Sequence, residues 1–220
     1  MAEVARASSA GDERAWLLRA VLVLQSPRAV FAAIRDDSDE TAEARQEAAG
    51  AIVWLAGIAG VLATSVASRF LTNPSRDWLV LFAWAFIAGG IYGFALYLAL
   101  GKVLHIGLRR LGSQGSFRRA RHLLAYSAAP IALALVLYWP IRIAIYGDDL
   151  FKFGGDDGSG AGDASAWLFY AFVAWALVLL VIGVRTVHGW TWQRSLAGVA
   201  TATAIVGGLA LGVSLLYALT

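Results

Sequence analysis

The chain has 220 residues, 59% of them hydrophobic and only 15% charged, with a mean hydropathy of +0.65. Soluble domains average about 25% charged residues, so this composition excludes an ordinary water-soluble globule and points to a membrane protein. The absence of cysteine excludes a disulfide framework and a thiolate metal site, and the net charge of +3 comes from arginines placed between apolar stretches, which argues against nucleic acid as a partner.

Residues 1–14 are small and polar, without the apolar core and cleavage site of a secretory signal, and are expected to be disordered. Residues 15–48 read as a cytoplasmic amphipathic segment. From Trp16 to Leu24 the chain is apolar but interrupted by Arg19, too short to cross about 30 Å of hydrocarbon. Ser26 before Pro27 signals a helix start, and Val30, Phe31 and Ile34 recur on one face, so a second short amphipathic helix is predicted. Residues 36–46 are strongly charged and are expected to be solvated.

Five long apolar stretches follow, at residues 49–70, 78–106, 123–146, 167–187 and 196–219, each long enough for a spanning helix. The predicted fold is therefore all-α, a bundle of five transmembrane helices over residues 49–220 preceded by N-terminal amphipathic helices. Small residues recur every fourth position: Ala56, Gly60, Thr64 and Ser68, then Ala85, Gly89 and Gly93, and finally Ala200, Ala204, Gly208 and Gly212. Such stripes let helix backbones approach closely in lipid. They serve packing within one chain or, alternatively, a homo-oligomer.

Lysine and arginine counts give the orientation, because their excess stays on the cytoplasmic side. Residues 1–48 carry six arginines, residues 107–122 carry five, and Arg185 and Arg194 flank the last link. These segments are predicted to be cytoplasmic in a multi-pass plasma-membrane protein with its N-terminus inside and its C-terminus outside. The acidic stretch 147–165, with Asp148, Asp149, Asp156, Asp157 and Asp163, then faces outward as a flexible loop. Trp78, Trp139 and Trp167 fall at that same interface.

Two groups of residues are candidates for function. Arg109, Arg110, Arg118, Arg119, Arg121, His188 and Arg194 form a cytoplasmic face suited to a protein partner or an anionic lipid, with Ser116 capping the helix that carries three of them. Tyr126, Ser127, Pro130 and Arg142 lie along a span that Pro130 and Pro140 interrupt, the sort of broken helix around which transporters build sites. Arg142 is expected to reach the interface or to pair with Asp148 or Asp149. No apolar span contains Asp or Glu, which weighs against proton coupling and against reading Gly160-Ala161-Gly162-Asp163 as a protease motif. The acidic stretch lacks the ligand spacing of a calcium loop. His105, His122 and His188 would bind a metal only if three helix ends converged. No catalytic residue, metal or cofactor is expected.

Three patches carry a family likeness: Ser26-Pro27-Arg28-Ala29-Val30-Phe31, Phe117 with Ala125-Tyr126-Ser127 and Pro130, and His188-Gly189-Trp190 with Arg194-Ser195-Leu196-Ala197. In their order and their positions relative to the spans, they resemble the Yip-one family of Ypt/Rab-interacting membrane proteins. The resemblance implies five spans, a cytoplasmic N-terminus and a non-enzymatic, adaptor-like role, which in eukaryotic members means recruiting small GTPases and coat or tether components. The Asp-Leu-Tyr-Gly-Pro element of those members is missing here, where residues 36–46 stand in its place, so Rab binding is not carried over. The alanine- and arginine-rich composition resembles that of a high-GC prokaryote. A membrane scaffold is thus the expected function, with a small-solute transporter or channel as the alternative.

Overall fold

The computed structural model describes residues 22–155 and 160–218, so the predicted disordered stretch 1–14, most of the interfacial stretch from Trp16, and Asp156 and Asp157 lie outside the described residues. Every regular element among the described residues is helical. After a helical stretch at 22–25 come α1 (Pro27–Ala33), α2 (Asp39–Leu62), α3 (Trp78–Arg110), α4 (Phe117–Ser127), α5 (Ala129–Tyr146), α6 (Gly160–His188) and α7 (Trp192–Ala218). Two 3-10 turns, Ala67–Thr72 and Gly147–Phe151, pack against each other at one end.

The helix boundaries follow local chemistry. Pro27 opens α1, where a missing N–H costs nothing. Asp77 caps α3 by accepting from the Val80 N–H at 2.9 Å, and Ser116 caps α4 by accepting from the Arg119 N–H at 3.0 Å. Acidic Asp39 and Glu40 begin α2, while Arg109 and Arg110 end α3, each complementing the helix dipole. Past α3 the chain turns at Gly112, whose φ of +87° suits glycine, and the Ser113 N–H returns to the Leu108 carbonyl at 3.0 Å.

Among the described residues, three segments are long and apolar enough to cross a membrane: Trp78–Arg110, Phe117–Phe151 and Trp167–His188. At most 33% of their most apolar windows is buried inside the bundle, so large side chains such as Leu79, Ile87, Ile91 and Ile145 point outward. In water this would be an untenable apolar surface; in a bilayer it is the ordinary lipid-facing surface.

Two stretches differ from their sequence expectation. The α-helix expected over residues 49–70 stops at Leu62 and gives way to a bend and the 3-10 turn Ala67–Thr72. Hydroxyls explain the stop: Thr64 Oγ1 donates to the Val61 carbonyl at 2.6 Å and Ser68 Oγ to the Ser65 carbonyl at 3.1 Å, drawing acceptors out of the helical ladder. The acidic stretch 147–165, expected to be a loop throughout, starts as the 3-10 turn Gly147–Phe151 and enters α6 at Gly160. Asp163 consequently falls within a helix rather than a loop.

Inside the bundle α2 packs on α3 and α5, α3 also meets α4 and α7, and α1 lies along α6. The α2–α3 contact is backbone on backbone. A Cβ on Gly57 would stand 2.1 Å from the Gly89 carbonyl oxygen, one on Gly93 would be 2.5 Å from the Val53 carbonyl oxygen, and one on Gly89 would be 2.6 Å from the Ile58 Cα. Gly60, four residues from none of these contacts in sequence but on the next turn, has only the Tyr92 ring at 3.6 Å. Nothing lies within 4 Å of a Cβ on Gly208, and the surroundings of Gly212 are outside the described residues. Overpacking a tight core contact costs about 1–3 kcal/mol. Gly57→Ala is therefore expected to lower the melting temperature of the detergent-solubilised protein, and Gly208→Ala to leave it unchanged or slightly raised, by circular dichroism.

Candidate functional site

A cluster of charged residues lies at the end of the bundle where α1, the link 34–38, the start of α4 and the α6–α7 turn meet. Most of the arginines there bind the fold itself. Arg45, only 8% exposed, donates through Nη1 to the Ala33 carbonyl at the end of α1 and through Nη2 to the Asp36 carbonyl, both at 2.5 Å. Arg35 donates through Nε to the Thr186 carbonyl at 2.9 Å, in the last turn of α6. Arg194 donates through Nε to the Leu111 carbonyl at 3.1 Å, just past α3, while its guanidinium lies 4.4 Å over the Trp190 ring. The Ala33, Thr186 and Leu111 carbonyls are ones that a helix end leaves without partners, and guanidinium donors satisfy them; the Asp36 carbonyl lies in the link before α2.

Acidic residues of the same region complete the lattice. Arg118 bridges Asp37 at 3.2 Å and Asp39 at 2.6 Å, and Ser116 Oγ donates to Asp37 Oδ2. Arg119 donates to the Arg35 carbonyl at 2.8 Å. The Ser38 backbone N–H, with its hydroxyl, holds the Asp36 carboxyl below the usual range, as expected for a carboxylate accepting hydrogen bonds. Burial pulls Arg45 below its ordinary value, yet a guanidinium titrates so high that its charge is kept. Residues 36–46, expected to be solvated, are thus partly drawn into the fold: Arg45 is buried, and Asp37 and Asp39 are paired.

The seven residues predicted for this face separate into distinct surroundings. Arg118, Arg119 and Arg194 are engaged as described. Arg109 and Arg110 are exposed at the end of α3. Arg121 is half-buried against the Tyr97 and Phe117 rings. His188 Nδ1 donates to the Val184 carbonyl, 3.0 Å away, with its ring 4.8 Å from Trp190. His105 faces Phe117, and His122, fully buried, lies 3.3 Å from Gln46 Oε1. The three histidines do not converge, and no metal-sized group of His, Asp and Glu forms among the described residues. Sequence reasoning missed Arg35, Arg45 and Asp37; a hint lay in Asp36-Asp37-Ser38 standing just before a helix, the pattern of a capped and ordered turn.

At membrane depth the chain breaks at Ala128, which closes α4 and opens α5, with Pro130 in the first turn of α5. Tyr126 is fully buried, its hydroxyl 3.5 Å from the Arg45 carbonyl, and Ser127 Oγ donates to the Leu123 carbonyl at 2.7 Å. Beside this break a cavity of about 430 Å³ opens between α2, α3, α4, α5 and α6, with Gly60, Tyr92, Tyr97, Leu124, Ser127 and Val173 in its wall. Its lining is almost wholly apolar. Arg142 is far from it: Nη1 donates to the Tyr138 hydroxyl at 3.1 Å, and the rings of Tyr138, Trp139 and Tyr146 surround the guanidinium within 5.9 Å. Its expected partners are otherwise engaged, Asp148 by the Trp78 indole N–H and Lys152, Asp149 by Lys152.

Apolar helices with outward-facing Leu and Ile, and charge confined to their ends, define an all-helical integral membrane protein. Within that class the Yip1 domain matches residues 21–215, nearly the whole chain, and the chain belongs to the Yip1 domain family. No curated protein and no solved structure matches it. Two of the patches that carry the likeness hold elements together: Phe31 of the first would be 2.9 Å from a Cβ on Gly183 of α6, and Arg194 of the third ties the α6–α7 turn to the end of α3.

Hydrogen bonds to charged groups contribute about 1.5–3 kcal/mol each, and a buried carbonyl left without its donor adds to the loss. Arg45→Met is expected to lower unfolding free energy by about 3 kcal/mol, measured by denaturant titration in micelles. Arg45→Lys restores little, because one ammonium cannot span both carbonyls.

Proposed function

We propose that the protein is a non-enzymatic scaffold or adaptor of the plasma membrane, with five spans, a cytoplasmic N-terminus and an outer C-terminus. In this reading α2, continued by residues 63–70, and α7 cross the bilayer with the three segments already described. The reading is supported by the distribution of arginine, most of which lies at one end, while Trp78, Trp139 and Asp148, with Arg69, Arg76 and Arg142 beside aromatic rings, lie at the other. The observation that carries the adaptor role is the division of labour within the arginine end. Arg35, Arg45, Arg118, Arg119 and Arg194 brace the fold, which leaves Arg109 and Arg110 exposed on a rigid platform. A rigid surface loses little entropy on binding, and two adjacent exposed cations suit an acidic partner surface or anionic headgroups.

The transporter alternative requires a polar route through the bundle. The cavity beside Ser127 is almost wholly apolar, with Tyr92, Tyr97 and Ser127 its few polar-bearing lining residues, and Tyr126 and Pro130 are buried in the core and do not line it, which favours the scaffold.

The natural absence of cysteine makes topology simple to map. Single cysteines at Ser38 or Gln114 are expected to react with a membrane-impermeant thiol reagent only after inside-out vesicles are prepared, and those at Asn73 or Asp149 only in intact cells. Labelling of all four from one side would remove the five-span reading. For the adaptor role, a photo-crosslinker at Gln114 in native membranes is expected to give a defined protein adduct that Arg109→Glu with Arg110→Glu reduces about tenfold, a change of about 1.4 kcal/mol. An adduct pattern indifferent to charge reversal would sink the partner role of these arginines.

A further inference from the structure

The apolar cavity has a cation at its rim. Arg121, Leu124, Ala125 and Ala128 lie along one face of α4, and the last three line the cavity. Arg121 therefore stands one turn above the lining, on the same face. Its guanidinium sits 5.5 Å over the ring of Tyr97, itself a cavity residue, and 4.9 Å over Phe117. Room is made for it by Gly101, where a Cβ would stand 2.7 Å from Arg121 Cγ. Unlike Arg118 beside it, Arg121 has no carboxylate partner among the described residues, and its Nε is buried without a hydrogen bond. The Tyr97 side chain is 5% exposed, and its hydroxyl likewise has no hydrogen-bond partner. A half-buried guanidinium without a carboxylate partner among the described residues and an unused hydroxyl thus meet where an apolar cavity ends.

Depth agrees with this geometry. At about 1.5 Å per residue, Tyr97 lies about 29 Å along α3 from Trp78, which matches the roughly 30 Å of a hydrocarbon core. Arg121 is then at the headgroup level, and the cavity extends from there into hydrocarbon.

We propose that this site binds one anionic phospholipid, with an acyl chain in the cavity, the phosphate on Arg121 and the Tyr97 hydroxyl donating to an ester oxygen of the glycerol. Each part of the ligand meets its chemical complement: methylenes meet Leu124, Val173 and Leu177, a phosphate takes the charge-assisted donors of the guanidinium, and the buried hydroxyl gains an acceptor. The cavity of about 430 Å³ falls within the usual range of ligand pockets, about 300–1,000 Å³. The site rests on the membrane placement given above and not on the adaptor role, since Arg109 and Arg110 take no part in it.

The test uses the full chain in nanodiscs of equal phosphatidylglycerol and phosphatidylcholine, with retained lipid identified by native mass spectrometry. One phosphatidylglycerol per chain is expected, preferred over phosphatidylcholine by about tenfold, the scale of one charge-assisted contact. Arg121→Gln should abolish the preference and leave the melting temperature near that of the natural chain. Gly60→Leu should abolish retention of both lipids by filling the cavity; its Cβ meets only Tyr92, at 3.6 Å. Val173→Phe, from the opposite wall, serves if Gly60→Leu does not fold. Equal retention of the two lipids, retention of neither, or a preference that survives Arg121→Gln would each overturn the proposal. Arg109→Glu with Arg110→Glu should leave lipid retention intact while reducing the protein adduct, so an adduct unchanged by this charge reversal counts against the adaptor role alone, and a lipid preference lost with it counts against this site alone.

Discussion

A helix that ends against other helices, rather than in water, leaves carbonyl oxygens that need donors. The architecture of the arginine end follows from that constraint. Arg45 serves the Ala33 and Asp36 carbonyls, Arg35 that of Thr186, Arg119 that of Arg35 and Arg194 that of Leu111. Each guanidinium connects a terminus to a different element, so the donors that satisfy the backbone also fix how α1, α3, α4 and α6 stand relative to one another. Removing one leaves an acceptor exposed and releases a helix end together.

The opposite end solves the same problem with aromatic rings. The two 3-10 turns are covered by Phe70, Trp139, Leu150 and Phe151, and Trp78 stacks on Phe82 while donating to Asp148. Arg76 lies 4.6 Å over Phe70 and Arg69 lies 5.1 Å over Phe153. Cations here face rings rather than carbonyls, and the indole N–H reaches a carboxylate. Such amphipathic groups suit a layer that is apolar on one side and wet on the other. Between the ends the core mixes Leu, Ile, Val, Phe31 and Tyr126 with alanines and with the glycines that let α2 and α3 touch, since close backbone approach drives helix association in lipid.

Much of this was legible in the sequence, for physical reasons that can be named. Runs of apolar residues give helices because no other open structure satisfies its backbone in lipid, so the helical spans 78–106 and 167–187 are plain. The caps at Ser116 and Pro27 were equally visible, since each depends on one residue at one position. Gly89 and Gly93 were marked as contacts by spacing alone. Their partner Gly57 was not, because it falls outside the four-residue stripe that runs through Gly60, and crossing angle rather than spacing decides which residue touches. The stop at Leu62 depended on hydroxyls outbidding the helical ladder, a balance that apolar character conceals. Arg45 looked solvated because its partners are carbonyls, which every residue has and no sequence pattern reveals. The cavity and its rim arise only when five helices are assembled, so Arg121 read as one more basic residue among neighbours.

The crossing of α2 and α3 bears on how such a chain can change over generations. Where side chains separate two helices, a substitution on one is absorbed by a shifted rotamer on the other, and the core drifts while keeping its shape. At Gly57, Gly89 and Gly93 the atoms in contact belong to the main chain, which has no rotamers to offer. Variation there must be taken up by moving a whole helix, along with the arginine and aromatic ends to which it is tied. The neighbouring outward positions, such as Ile87 and Ile91, are largely exposed on the lipid-facing side and are free to exchange among apolar residues. One face of α3 is thus held to three atoms' width while the other records little more than hydrophobicity.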